Sequence, residues 1–354
     1  MTDRLVTEHP TTEHGRAAFW CGSYTADMSG EADGIGALLR RPDGTLEYAG
    51  VAVRADSPSF LARDPRDERI VYAVGEASGR LEAYLRGDGT ALTPLGGQPT
   101  DGAGPCHVSV RPDATAALVS CYGDGSLRLH PLDVHGVPQP LAQVLAGDGS
   151  GPHPAQDGPH AHSTLMLEDG VVLSADLGAD LVHVHSTDPG TGRLTRVDSL
   201  AFPGGTGPRH LRRHPSGFVY LVSEHSREVF VLEHRGTAVR VAFATPVTPD
   251  RVEDDTAAEI TVTEDGRFVH VGLRGSNRLS TLAVVDNGEA LVHVDDASCG
   301  GDWPRHHVVD GDLLHVANQL SSTVTTFRID PGTGVPTQLG LAEPVPSPTH
   351  LLRA

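Results

Sequence analysis

Nowhere in these 354 residues does an apolar run approach the roughly 18–20 residues that a membrane-spanning helix needs. A helical membrane protein is thereby excluded. Cysteine is scarce: Cys21, Cys106, Cys121 and Cys299 are the four present, with no C-x-x-C pair or other metal spacing. They are expected as small buried hydrophobes of a reducing compartment, in preference to a Cys106–Cys121 disulfide. Basic residues are few, 27 against 46 acidic, for a net charge of −19. That balance argues against nucleic acid or an anionic membrane as partner. It also means that any gathering of arginines needs a reason. The segment Met1 to His14 is polar and lacks the apolar stretch of a signal peptide. A disordered leader over residues 1–16 and a cytoplasmic location are the expectation. No calcium loop of spaced aspartates occurs, and no Gly-His…Trp-Asp pattern recurs.

Helix-breaking residues, by contrast, are plentiful: Gly 41 and Pro 26, spread along the whole chain. Such a distribution suits many short strands joined by tight turns. A short signature also recurs, in which a small residue or proline precedes a strand-opening apolar residue, often with histidine between. It stands at Pro58-Ser-Phe-Leu, Pro105-Cys-His-Val, Pro159-His-Ala-His-Ser, Pro208-Arg-His-Leu, Ala257-Ala-Glu-Ile, Pro304-Arg-His-His and Pro348-Thr-His-Leu. The steps between copies run from 44 to 54 residues, the period of propeller blades. After each signature come a turn, a buried-looking strand, an alternating strand and a polar fourth strand, which make one blade.

The last signature lies six residues from the C-terminus, so its blade lacks three strands. These are found at the other end of the chain, over Ala18 to Gly22, Gly36 to Arg40 and Leu46 to Val51. The fold class is therefore all-β: a seven-bladed β-propeller over residues 17–354, one domain, its ring closed by both termini.

Within a blade, the start of the first strand and the end of the second share one rim, about 15 residues apart. Polar residues fall at this spacing: Arg209 with Glu224, Glu259 with Arg274, Arg305 with Gln319, His162 with Asp176 and His107 with Tyr122. All are expected at one mouth of the central channel, joined there by His160, His210 and His306. Three arginines converging in so acidic a chain point to an anionic ligand, because guanidinium offers paired donors to carboxylate or phosphate. His162 and Glu224 are the candidates for proton transfer. The same residues have plainer readings. His107, His210 and His306 can bond backbone at strand starts, and Arg209–Glu224 and Glu259–Arg274 can be structural ion pairs within a blade. The pairs His160/His162 and His183/His185 each put two imidazoles on one side of a strand but lack a third metal ligand, so no metal and no other cofactor is expected.

The chain resembles the lactonase family of seven-bladed propellers, which includes propeller-type 6-phosphogluconolactonase and carboxy-cis,cis-muconate cyclase. The carriers are Gly22-Ser-Tyr-Thr, Gly104-Pro-Cys-His-Val, Gly158-Pro-His-Ala-His-Ser, Gly207-Pro-Arg-His-Leu, Ser223-Glu224, Ala257-Ala-Glu-Ile, Arg274-Gly, Trp303-Pro-Arg and Ala317-Asn-Gln, spread over about residues 18 to 353. The resemblance implies a catalytic set of His162 (with His160 the alternative in the same segment), Arg209, Arg274 and Glu224. Ser223 and Leu273 stand where the family often has asparagine. The implied function is hydrolysis of a sugar-acid lactone such as 6-phosphogluconolactone, in carbohydrate metabolism. His107, His160, Glu259, Arg305 and Gln319 are the expected substrate-binding residues, and the expected partner is a small anionic lactone or carboxylate. The alternatives are a lactonising enzyme acting on an unsaturated dicarboxylate and a non-catalytic interaction platform.

Overall fold

Short β-rich segments punctuated by glycine and proline leave no scope for long helices, and the chain solves its burial problem with sheets alone. A computed structural model describes residues 15–250 and 252–354; residues 1–14 of the expected leader lie outside the described residues. Seven antiparallel sheets form, each of four strands. The innermost strands are Pro58–Arg63, Pro105–Val110, Ala161–Met166, Pro208–Arg213, Thr256–Val262, Pro304–Asp310 and Pro348–Arg353. Each touches the next in chain order and the last touches the first, so the ring is closed. Every signature in the sequence opens one of them. We name each blade by its signature residue.

The closing blade orders Pro348–Arg353, Phe19–Ser23, Gly34–Arg40 and Leu46–Arg54. Its seam pairs Phe19 with Arg353, Trp20 with Leu352 and Cys21 with Leu351. Phe19, Trp20 and Cys21 are wholly buried there, so the seam is held by core packing as well as by a ladder of hydrogen bonds. The rest of the core lies between blades. Leu173, Ala175 and Val184 of one sheet pack on Leu211, Leu221 and Phe230 of the next, and Tyr220, Val222 and Val231 pack in turn on Ile260, Val269 and Leu282. All four cysteines are free and buried, so none links the blades covalently.

One irregularity recurs where each innermost strand begins. The pairing skips a residue at Ser59, Cys106, His162, Arg209, Arg305 and Thr349; in the Ala257 blade the irregularity spans Ala257 to Ile260. A bulge of this kind takes a residue out of the ladder and re-aims its side chain. Three of the six skipped residues are Arg209, Arg305 and His162. The chain enters five of the six bulges, all but that at His162, through a left-handed residue, which is glycine at Gly104 (φ 57°) and Gly207 (φ 65°). Glycine adopts this conformation without strain, whereas a residue with a Cβ is strained there. A Cβ on Gly207 would also stand 2.6 Å from the His225 ring.

Candidate active site

The bulged arginines converge as the spacing implies, but their partners are shared across blades. Arg209 donates from Nε to Glu224 Oε2 (2.8 Å) and from Nη1 to the Ala258 carbonyl (2.7 Å). Arg274, from the neighbouring blade, places Nη2 on the same Glu224 oxygen at 2.8 Å and 3.2 Å from the Ala257 carbonyl. One carboxylate oxygen thus holds two guanidinium groups, and Arg209 Nη2 has no bond to another side chain or carbonyl among the described residues. Both arginines are buried. Burial raises the Glu224 carboxyl, but the charges of Arg274 and Arg209 outweigh it and hold the group down at about 2. Arg209 is lowered to about 10 by burial and by the Arg274 charge, and stays protonated at neutral pH.

Arg305 is close enough for its charge to act on Arg209. Its Nη2 donates to the Tyr24 hydroxyl (2.7 Å), its Nη1 reaches Gln319 Oε1 (3.4 Å), and Tyr24 donates onward to Glu76 Oε2 (3.0 Å). The guanidinium also lies 5.0 Å from the Tyr24 ring centroid, a cation–π contact. Tyr24 follows the N-terminal strand of the closing blade, so closing the ring also completes this wall of the mouth. His162 stands beside these groups, its Nδ1 buried without a partner among the described residues. Burial pushes its pKa well below 6.5, and the Arg209 charge pushes it the same way. The imidazole is therefore neutral at pH 7. Its neighbour His160 is occupied elsewhere: Nδ1 donates to the Tyr122 carbonyl (2.7 Å) and the ring stacks on Tyr122 at 4.2 Å.

Not every residue expected at this mouth reaches it. The Glu259–Arg274 pair does not form, because Arg274 crosses to the preceding blade and Glu259 turns down into the channel. There Glu259 Oε2 accepts from His210 Nδ1 (2.8 Å), and Oε1 accepts from Arg212 Nη2 (3.0 Å). His306 Nδ1 accepts the Leu351 N–H (3.2 Å), which leaves its Nε2 proton facing Glu259 Oε2 at 3.3 Å. Phe60 closes the layer between His107 (centroids 4.3 Å apart) and His350 (4.0 Å). His107, His210, Glu259 and His306 thus form a collar below the arginines rather than a share of their cluster. Asp176 also stays away from the mouth and accepts the N–H groups of His160, Gly178 and Ala179 in its own turn. Beneath the collar a cavity of about 570 Å³ opens to the other end of the channel, lined by Val110, Met166, Arg213 and Arg353 among others.

The collar has a consequence for stability. Burial lowers His210 to about 4 and His306 to about 3, and lowers His107 and His350 well below 6.5. An unfolded chain protonates these imidazoles near pH 6.5, whereas the folded chain keeps them neutral. Their contribution is thus complete above pH 6.5 and is lost as pH falls toward 4. The thermal midpoint is expected to be flat from pH 8 to 6.5 and to fall steadily below, measured by calorimetry in buffers of constant ionic strength. A midpoint unchanged down to pH 4.5 contradicts the neutral collar.

Sequence reasoning missed Tyr24, Glu76 and Trp303. Glu76 holds the register place of Glu224, at the end of its blade's second strand, but stands 17 residues after Ser59 because the intervening hairpin is two residues longer than that of the Pro208 blade. Tyr24 and Trp303 lay in motifs that carried the resemblance, with no spacing to mark them. Among the described residues, no group of three or more His, Cys, Asp or Glu is arranged to hold a metal ion, and no helix is long and apolar enough to cross a membrane.

Comparison with known proteins agrees with this architecture. The family model described as "Lactonase, 7-bladed beta-propeller" matches residues 18–352. A 6-phosphogluconolactonase of Bacillus subtilis is 31% identical over 342 residues, covering 93% of this chain and 96% of the relative. Among solved structures, the periplasmic gluconolactonase of Pseudomonas aeruginosa superposes with a TM-score of 0.88 at 29% identity, over 94% of this chain and 98% of that one. A Lactobacillus plantarum protein also gives 0.88, at 26% identity over 96% and 100%. The chain is a member of the lactonase family of seven-bladed β-propellers.

Proposed function

We propose that the protein hydrolyses the lactone of a sugar acid at the arginine-lined mouth, with 6-phosphogluconolactone the first substrate and the unphosphorylated gluconolactone the second. The observation that carries this reading is the sharing of Glu224 Oε2 by Arg209 and Arg274. Three guanidinium groups (Arg209, Arg274, Arg305) stand against two carboxylates (Glu224, Glu76) at the mouth, which leaves one positive charge in excess. A lactone carbonyl acquires one negative charge when water adds to it. Preorganised donors that balance such a charge lower the barrier.

In this mechanism neutral His162 takes a proton from water as the water oxygen bonds to the carbonyl carbon. Arg209 and Arg274 stabilise the oxyanion, and Glu224 fixes both guanidinium planes. Collapse breaks the bond between the carbonyl carbon and the ring oxygen, and the His162 proton goes to that oxygen. A carboxylic acid is released, which ionises at neutral pH. Glu224 is committed to both arginines and held at about 2, whereas neutral His162 has an unpartnered Nδ1 among the described residues, so we assign the base role to His162. His107, His160, Glu259 and Gln319 then act as supports: His160 holds Tyr122, Gln319 holds Arg305, and His107 and Glu259 build the floor. We place the reaction in the cytoplasm and in carbohydrate metabolism, the second following the name of the Bacillus relative.

The test is acid release in a pH-stat with 6-phosphogluconolactone and with gluconolactone, each corrected for spontaneous opening. Because burial depresses His162, kcat/KM is expected to stay level from pH 8 to 6.5 and to fall only at lower pH, as the imidazole protonates. No release above background from either lactone overturns the reading.

A further inference from the structure

Trp303 has a backbone that a tryptophan rarely adopts. Its φ is 65°, in the left-handed region that strains any residue with a Cβ. At the same place two other blades use glycine, Gly104 and Gly207, and two more use serine, Ser57 and Ser347 (φ 37° each), so Trp303 is the one bulky residue there. The local bonding is the same at both glycines and at Trp303. The Gly207 carbonyl accepts the Glu224 N–H (2.7 Å), the Gly104 carbonyl accepts the Tyr122 N–H (2.8 Å), and the Trp303 carbonyl accepts the Gln319 N–H (3.0 Å). The turn therefore requires this conformation and does not require an indole. Strain that the surroundings impose on a bulky residue, beside a reactive site, points to a task for its side chain.

The task is visible in what the indole covers. The guanidinium carbon of Arg274 lies 5.3 Å from the Trp303 ring centroid. Arg274 Nε is buried with no hydrogen-bond acceptor among the described residues, so the electron-rich ring face is what stands in for one. The same hairpin that carries Arg274 also anchors the tryptophan. Asn277 Oδ1 accepts the Trp303 N–H (2.8 Å), and Asn277 Nδ2 donates to Asp302 (2.7 Å). The Trp303 backbone and the hairpin that carries Arg274 are thus tied to each other across two adjacent blades. A guanidinium over an aromatic face in a partly desolvated setting is held both in position and in plane.

We propose that Trp303 is a positioning residue for the reaction. It fixes the plane of Arg274 so that Nη2 shares Glu224 with Arg209 while the outer edge of the guanidinium faces the mouth, and it keeps water off that ion pair. The inference rests on the function proposed above. It predicts that losing the ring lowers turnover more than it lowers stability or substrate affinity.

Three variants test it: Trp303→Gly, which relieves the backbone; Trp303→Leu, which keeps bulk without a π face; and Trp303→Phe, which keeps a ring. Each is compared with wild type for thermal midpoint, kcat and KM on whichever lactone the wild type hydrolyses. The Gly and Leu variants are expected to lose roughly 10–100-fold in kcat, the range seen when a supporting partner of a functional group is removed. KM should change little, the Gly variant should unfold no earlier than the Leu variant, and Phe should restore most of kcat. Wild-type kcat in Trp303→Leu overturns the inference, as does a loss in Trp303→Phe as large as in Trp303→Leu. A wild type inactive on both lactones overturns instead the reading on which the inference rests.

Discussion

Arg209→Ala is expected to lower kcat on the lactone by roughly 10²–10³-fold, the effect of removing one preorganised donor to a developing oxyanion. Arg209 is the bulged residue of its strand, so the backbone itself aims it at the mouth. Two of its nitrogens are bound to Glu224 and to the Ala258 carbonyl, which leaves Nη2 for the substrate. Lysine restores the charge but not the fork, so Arg209→Lys should recover only part of the loss. Single-turnover kinetics separate this effect from binding. A variant with wild-type kcat removes Arg209 from the chemistry.

The second large effect is on stability. Glu224→Ala leaves Arg209 and Arg274 buried side by side with no carboxylate between them. Removing one partner of a buried ion pair typically costs about 3–5 kcal/mol, and here two cations lose their partner together. Glu224 is only 17% exposed, so solvent offers little compensation. Denaturant unfolding should show a stability loss of that size, read as a lower midpoint with an unchanged slope, and turnover should fall with it. The acid dependence has the opposite sense to that of a raised base: Glu224 stabilises the fold above pH 4.5, and this is lost only as pH falls toward 2. That window lies below the one in which the histidine collar fails. A variant as stable as wild type would mean that the two arginines tolerate one another unaided.

These residues also show what the sequence could and could not make legible. The ring was readable because each blade repeats one signature, and a closed ring forces the missing strands of the last blade to come from the other terminus. The Arg209–Glu224 pair was readable because both lie in one hairpin of ordinary length. Its second cation was misassigned for a physical reason. Spacing reports which residues share a rim but not which way a side chain turns, and a bulge redirects it. Arg274 is close to Glu259 in the register, yet its guanidinium crosses to Glu224, while Glu259 is taken by His210 and Arg212. Glu76 was hidden by a longer hairpin and Tyr24 by its place after the closing strand, where no period applies. The strain at Trp303 is a dihedral angle, which no composition or spacing displays.

The arginine-lined mouth stands at one end of the histidine collar and the cavity against His107, Arg212 and His350 at the other, and the proposed reaction belongs to the mouth. A crystal structure of the protein soaked with the open-chain sugar acid tests this choice most directly. The product carboxylate is expected among Arg209 Nη2, Arg274 and His162, with Arg305 alongside. Density for the acid in the opposite cavity instead, against His107, Arg212 and His350, would contradict that placement.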